Sequence, residues 1–297
     1  MLDPKFESLL QVVKHKNYTK AAQALNLTQP AVTQHIKQLE KELKIKIFNR
    51  SKRDLIITPE GVILIKYARR IKALYQQLDN AISDQKRQTK SLIIGITHTA
   101  ESNKVTEAIA RYCSLNPGIR IKIITEDITK LYDKLNTYEI DLAITEGGRI
   151  SRKYKMIPLD TDSLVVVLSP THHLSKQLSV TFEDIKKEPM IFRLPTSGTR
   201  NLFVNELKNK NYSISDLNVI LEVDNIATIK DLVERQIGVS ILPRSVCFEE
   251  VKKNQLKVLP LEGFSLIRET NVVFLDDFDY IKVVNEIIKT YNEMNLR

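Results

Sequence analysis

The 297-residue chain contains only two cysteines, Cys113 and Cys247, and no Cys-x-x-Cys pair. Two isolated thiols cannot complete a zinc site, and a reducing cytosol disfavours a bridge between them. Both are expected as small buried apolar residues, with a redox-sensing thiol as the alternative. The sequence has no run of eighteen apolar residues, so no membrane-spanning helix is expected. Its opening, Met-Leu-Asp-Pro-Lys-Phe-Glu, lacks a basic region followed by an apolar core, so a cytoplasmic protein is expected. Also missing are the phosphate-cradling GxxxxGK[ST] loop, the GxSxG elbow and HExxH. The histidines are His15, His35, His98, His172 and His173. The adjacent pair His172-His173 lies in a polar stretch, and a metal role needs more ligands than the sequence shows. No catalytic residue, metal or cofactor is expected.

Charge is present in abundance and is unevenly placed. The formal net charge is +9. Residues 1–90 hold 18 Lys+Arg against 8 Asp+Glu, a net of +10, and the remainder holds 27 against 28. A basic segment joined to a neutral one points to a polyanion-binding module attached to something else. A length near 300 residues fits two or three domains.

Within the basic segment, Phe6, Leu9, Leu10 and Val13 recur at helical spacing over residues 4–15. Thr19 is expected to cap a helix over 20–25, whose Ala21, Ala22 and Leu25 face inward. Thr28 caps the next helix, with Pro30 in its first turn, where no helical hydrogen bond needs its missing N–H. Val32, Ile36, Leu39 and Leu43 line the buried face of that helix. Gln29, Pro30, Thr33, Gln34 and Lys37 are left for the outside, where amides and a hydroxyl can read base edges in a major groove. Strands are expected at 45–48 and 55–57. Their basic tip carries Arg50, Lys52 and Arg53, suited to phosphates or a minor groove. Residues 60–90 read as one long helix, with Val62, Ile65, Ala68, Ile71, Leu74, Leu78 and Ile82 near heptad spacing. Residues 85–91 read as a polar hinge.

The motifs Ala21-Ala22-x-x-Leu25, Thr28-Gln29-Pro30-Ala31-Val32, Ile36-x-x-Leu39-Glu40, Phe48-x-Arg50 and Thr58-Pro59-x-Gly61 resemble, in order and spacing, the N-terminal domain of LysR-type transcriptional regulators. That family usually has Ser-Arg after Ala-Val, where this chain has Thr33 and Gln34. The departure bears on the operator sequence rather than the binding mode. The resemblance implies double-stranded operator DNA as partner. It also implies pairing of the long helix with its twin, homodimers and homotetramers, and RNA polymerase as a further partner if the protein activates.

After residue 90, short β-branched runs at 92–96, 119–124 and 140–145 alternate with helical patterns at about 101–115 and 127–138. A second set has strands at 164–168, 190–192, 218–222 and 239–242, with helices near 199–210, 225–236 and 244–252. A strand at 266–275 and a helix at 278–294 follow. The fold class expected is therefore α/β: a winged helix-turn-helix over 1–59, a linker helix over 60–90 and a two-lobed domain over 91–297.

Open α/β sheets bind ligands at the carboxyl ends of their strands. That rule selects Thr97, His98 and Thr99 after one strand, Glu146 after another, Ser197, Gly198 and Thr199 after a third, and Asn225. Hydroxyls and free N–H groups at helix starts favour a small anionic effector. Ordinary capping by Thr99 or Ser197, and a solvated loop acid at Glu146, are the alternatives. Glu188-Pro-Met-Ile, Ser197-Gly-Thr-Arg200 and Gly238-Val-Ser-Ile-Leu-Pro243 look like the effector domain of LysR-type regulators. The second motif is similar to the subgroup that includes regulators of sulfur assimilation and carbon fixation. The resemblance implies a periplasmic-binding-protein-like fold, with lobe one near 92–161 plus 267–297 and lobe two near 162–266.

Overall fold

The computed structural model describes residues 3–50, 55–101, 104–147 and 151–295. The chain forms two compact units, Met1–Ser91 with Asn136–Glu139, and Leu92–Leu135 with Ile140–Arg297.

The first unit opens with helices α1 (Pro4–His15), α2 (Tyr18–Ala24) and α3 (Gln29–Leu43). Helix α2 starts two residues earlier than expected. Its cap is Asn17, whose side chain accepts from Lys20 N–H at 3.0 Å, and not Thr19. Asn and Thr both cap well, and the extended backbone at Asn17 decides between them. Thr28 caps α3 as expected, accepting from Ala31 N–H at 3.3 Å. Strands β1 (Phe48–Arg50) and β2 (Leu55–Ile57) pair antiparallel, Phe48 opposite Ile57. The first strand lies a few residues later than the 45–48 expected, because Ile47 is wholly buried in the helical core and Glu40 accepts its N–H at 2.9 Å. Helix α4 (Pro59–Arg87) follows. Its cap Thr58 accepts from Gly61 N–H at 2.9 Å and donates to Lys46 O at 2.5 Å. A Cβ on Gly61 would lie 2.4 Å from Ile47 O, so only glycine lets α4 start this close to the backbone at Ile47.

Two features of α4 depart from expectation. Ile65 and Ala68 are not on a free stripe; they pack into the core with Leu9, Val12, Ile36 and Leu39. The stretch expected as a hinge is helical to Arg87. It then turns at Gln88 (φ 53°), held by Asp84, which accepts from Thr89 Oγ1 at 2.8 Å and Ser91 N–H at 2.7 Å.

The second unit contains β3 (Lys90–Ile96), α5 (His98–Glu101), α6 (Val105–Leu115), β4 (Ile119–Thr125), α7 (Ile128–Asn136), β5 (Leu142–Glu146) and β6 (Tyr154–Leu168). It continues through α8 (Phe182–Ile185), β7 (Pro189–Phe192), α9 (Gly198–Asn209), β8 (Asn218–Glu222), α10 (Ile226–Glu234) and β9 (Val239–Pro243). Last come α11 (Phe248–Lys252), β10 (Lys257–Leu259), β11 (Ile267–Leu275) and α12 (Ile281–Asn295). The strand order is β4-β3-β5-β11-β6-β9-β7-β8, with β10 also on β6.

Each lobe buries both faces of its strands. In lobe one, Leu142, Ile144, Val272 and Phe274 face the core under α6 and α12, while Ala143 and Val273 face α7. In lobe two, Leu164, Val166 and Leu168 join Phe203 and Leu207 of α9, while Val165 and Val167 join Ile226, Ile229 and Val233 of α10. This is the period-2 alternation of a strand sandwiched between helices, and it explains the unbroken apolar runs. Strand β6 is three times the length expected. Its first part pairs with β11 in lobe one and its last part with β9 and β10 in lobe two. Asp160-Thr-Asp-Ser163 breaks its apolar pattern at the crossing, and that polar stretch hid the strand.

Cys247 is buried and Cys113 half-buried. Burial pushes the Cys247 thiol up to about 12 and also raises Cys113. On the order of one Cys247 in ten thousand is then thiolate at pH 8. A disulfide reagent at pH 8 is therefore expected to leave Cys247 untouched in the native protein and to label it on unfolding. Fast native-state labelling of Cys247, read by peptide mass, would revive the redox-sensing alternative.

Candidate functional site

The first unit presents α3. Its cap and Pro30 set the helix start, and Val32, Ile36 and Leu39 turn one face into the core. Gln29, Pro30, Gln34 and Lys37 are exposed and Thr33 is half-buried. Gln29 Nε2 donates to Thr33 Oγ1 at 2.8 Å, so the amide is held in one orientation before any partner arrives. Arg50 ends β1, but its side chain lies outside the described residues, as do Lys52 and Arg53.

The second unit brings strand ends together between its lobes. From lobe one, Thr97 follows β3 and donates to Glu146 Oε2 at 2.7 Å, while its Oγ1 accepts from Ala100 N–H at 3.2 Å. Thr99 is buried and His98 half-buried. Helix α5 is only four residues long, so its dipole is small. From lobe two, Arg193 follows β7 and is 3% exposed. Its Nη2 lies 3.1 Å from Asp224 Oδ1, and His98 Nε2 lies 3.9 Å from Asp224 Oδ2. Asp224 thus stands between a side chain of each lobe. Arg200 steadies this corner, with Nη1 donating to Arg193 O at 2.9 Å and to Glu222 Oε1 at 2.7 Å.

Arg268, near the start of β11 and 6% exposed, lies at the centre of the second group. Its Nη2 is 3.4 Å from Asp162 Oδ2, and its Nη1 is 3.4 Å from Thr199 Oγ1 and 3.7 Å from Glu146 Oε1. Several buried atoms have no hydrogen-bond partner among the described residues: Arg193 Nε and Nη1, Arg268 Nε, Glu146 Oε1 and Ser197 Oγ. Buried polar atoms are seldom left so. The two guanidiniums and Glu146 therefore leave both donors and an acceptor to be met, while Asp162 and Asp224 are engaged with the arginines.

The residues selected from sequence divide as follows. Thr97, Glu146 and Thr199 are buried in this network, Ser197 is buried without making its cap bond, and His98 faces Asp224. Gly198 is exposed, with no atom within 4 Å of where a Cβ would sit. Asn225 is exposed, and its Oδ1 is engaged in capping α10 through Thr228 N–H at 3.0 Å. Sequence reasoning missed Arg193 and Arg268. The first directly follows a strand end that had been recognised. The second sits at the beginning of its strand, where the strand-end rule does not look, because β11 runs antiparallel to β5.

Two family models match: "Bacterial regulatory helix-turn-helix protein, lysR family" over residues 5–62 and "LysR substrate binding domain" over residues 85–290. The chain is 25% identical to the HTH-type transcriptional regulator CysL of Bacillus subtilis, covering 90% of this chain and 89% of that protein. It is 28% identical to a probable RuBisCO transcriptional regulator of Cyanidium caldarium, covering 86% and 82%. The second match agrees with the likeness to carbon-fixation regulators read from Ser197-Gly-Thr-Arg200. The fold matches full-length CbnR, solved in complex with its target DNA, with a TM-score of 0.69, 13% identity and 98% of each chain covered. The second family model alone spans more than half of the sequence, and the chain belongs to the LysR family of DNA-binding transcriptional regulators, with an N-terminal helix-turn-helix and a C-terminal two-lobed effector-binding domain.

Proposed function

We propose that this regulator reads its operator with Gln29, Pro30, Thr33, Gln34 and Lys37 of α3 and with Arg50, Lys52 and Arg53 of the wing. We propose further that its cleft takes a small organic carboxylate bearing hydroxyl or amine groups. The observation that carries the second part is Arg193, buried with Nε and Nη1 unpartnered among the described residues. Leaving such a donor unmet costs about 1–3 kcal/mol, and a carboxylate accepts along one guanidinium edge, from Nε or Nη1 together with the second N–H of Nη2. Glu146 Oε1 adds the demand for a donor on the ligand, which a fully deprotonated inorganic anion such as sulfate does not supply, while Ser197 Oγ can donate or accept. A ligand touching both lobes binds a closed cleft better than an open one, and that difference is what shifts a conformational equilibrium.

Pairing between copies is assigned to α4. Ile63, Tyr67, Leu74 and Leu78 are exposed, and their spacing puts them on one side of the helix. This seam replaces the stripe read from sequence, whose Ile65 and Ala68 serve the core. Dimers of this kind, assembled further into tetramers, suit an inverted-repeat operator.

Three outcomes are expected. Gln29→Ala weakens operator binding by about 1–3 kcal/mol and relaxes base preference. Lys37→Ala weakens all sequences alike and lowers the salt slope by about one. Gel shifts across a salt series separate the two, and wild-type affinity in both variants refutes the interface. Leu74→Glu places a charge in the α4 seam and is expected to dissociate pairs at micromolar concentration. Sedimentation velocity reads this, and a wild-type profile removes the assignment. In a thermal-shift panel of hydroxy-carboxylates, amino-carboxylates, sulfate and phosphate, an organic carboxylate is expected to stabilise the wild type most. Arg193→Ala is expected to lose about 2–5 kcal/mol of that binding. An unchanged midpoint in Arg193→Ala means the ligand binds elsewhere.

A further inference from the structure

Lobe two carries a second side-chain cluster that the cleft does not use. His172 and His173 stand at the turn after β6, their rings 4.4 Å apart. The fold brings Glu188, the residue before β7, against both. Glu188 Oε2 lies 3.3 Å from His172 Nε2, and Oε1 lies 3.2 Å from His173 Nε2. One ligand atom from each of the three residues can be chosen so that all lie within 4.8 Å of one another. We propose that His172, His173 and Glu188 form a binding site for a divalent first-row transition metal ion, separate from the effector cleft.

Geometry and chemistry both support the assignment. Metal–nitrogen bonds of about 2.0–2.1 Å place the donors of a tetrahedral site about 3.3–3.4 Å apart, so donors that already lie within 4.8 Å of one another need to close by about 1.5 Å at most to share an ion. Two imidazoles and one carboxylate suit zinc, nickel, cobalt or copper, whereas magnesium and calcium prefer all-oxygen sites. The side chains of His172 and Glu188 are 14% and 13% exposed, and that of His173 is 67% exposed. Two ligands are therefore held in the protein, while the third faces solvent, where water completes the coordination.

The frame is anchored on both sides. His172 N–H donates to Ser169 O at 3.0 Å, and Leu174, next in the chain after the pair, is buried in the lobe-two core. Glu188 N–H donates to Ile185 O at 3.1 Å. A nearby acid, Asp184, is committed to a capping box with Thr181 and leaves the three ligands as the set. One bond competes: Leu174 N–H donates to His172 Nδ1 at 3.3 Å. Coordination through Nε2 puts the ring proton on Nδ1 and gives up this long bond in exchange for a metal–ligand bond.

Glu188 and Arg193 flank opposite ends of the four-residue strand β7, roughly 13–17 Å apart at the usual rise of a strand. Metal binding here and carboxylate binding at Arg193 are thus separable measurements. Bound metal ties the turn after β6 to the entry of β7, and stabilises the native state because the unfolded chain lacks the site.

The test uses untagged full-length protein stripped with a chelator. Titration with zinc chloride by calorimetry is expected to show one ion per chain at this site and a rise in melting temperature. Cobalt chloride is expected to give visible absorption bands of nitrogen–oxygen coordination. His173→Ala, which alters an exposed side chain, is expected to melt like the wild type without metal. It should lose about tenfold or more in zinc affinity, along with the cobalt bands. Glu188→Gln is expected to behave likewise, and His98→Ala to bind zinc as the wild type does. The proposal is overturned if wild-type protein shows neither heat nor melting shift with zinc, or if His173→Ala binds zinc with wild-type affinity.

Discussion

A buried guanidinium ties the effector-binding domain together. Arg268 is withdrawn from water, and such a charge is tolerated only when its partners surround it. Those partners come from three places: Glu146 at the end of a lobe-one strand, Asp162 where β6 passes between lobes, and Thr199 in the first turn of a lobe-two helix. Removing one partner of a buried pair costs about 3–5 kcal/mol, because the other charge is left uncompensated. The position of each lobe's strand ends is therefore linked to the same side chain. Any ligand that donates to Glu146 or accepts from Arg268 enters this balance directly. Strand β6 gives the arrangement its backbone, since one continuous strand pairs in both lobes.

The two units divide the chemistry by charge. The basic excess is confined to the first ninety residues, where it serves a polyanion. The second unit is nearly neutral overall, and its charged groups act locally: Arg193 with Asp224, Arg268 with Glu146 and Asp162, His172 and His173 with Glu188. On the proposed reading, the exposed face of α3 and the buried network of the cleft are opposite solutions to recognition. The first would keep its polar groups in water until DNA replaces it. The second would hold donors and acceptors away from water, so that a matching ligand meets groups with few competitors.

The helix-turn-helix was the most legible part because its signals are local. Thr28 with Pro30, and Thr58 with Pro59 and Gly61, mark helix starts through the bonding of neighbouring atoms, and the buried periodicity of Val32, Ile36 and Leu39 follows from one helix alone. The strands of the two lobes were legible where both faces are apolar. They were not where β6 crosses between lobes, because Asp160 and Asp162 make the crossing read as a loop. Cap choice also escaped the pattern at α2, where Asn17 and Thr19 offer equivalent chemistry and the entering backbone selects the former.

The sequence by itself determined the family, the α/β class and the basic DNA-binding module, since each is written in short-range spacing and composition. Tertiary structure alone decided which charges meet. Arg268 and Glu146 come from antiparallel neighbouring strands, Arg193 reaches Asp224 from another loop, and Glu188 closes on a histidine pair that looked incomplete in sequence. The faces of α4 were decided in the same way. Ile65 and Leu74 are alike as letters, but the core formed by α1, α2 and α3 covers the first and leaves the second exposed. Burial and pairing depend on which distant segments arrive at a residue, and local spacing carries no record of that.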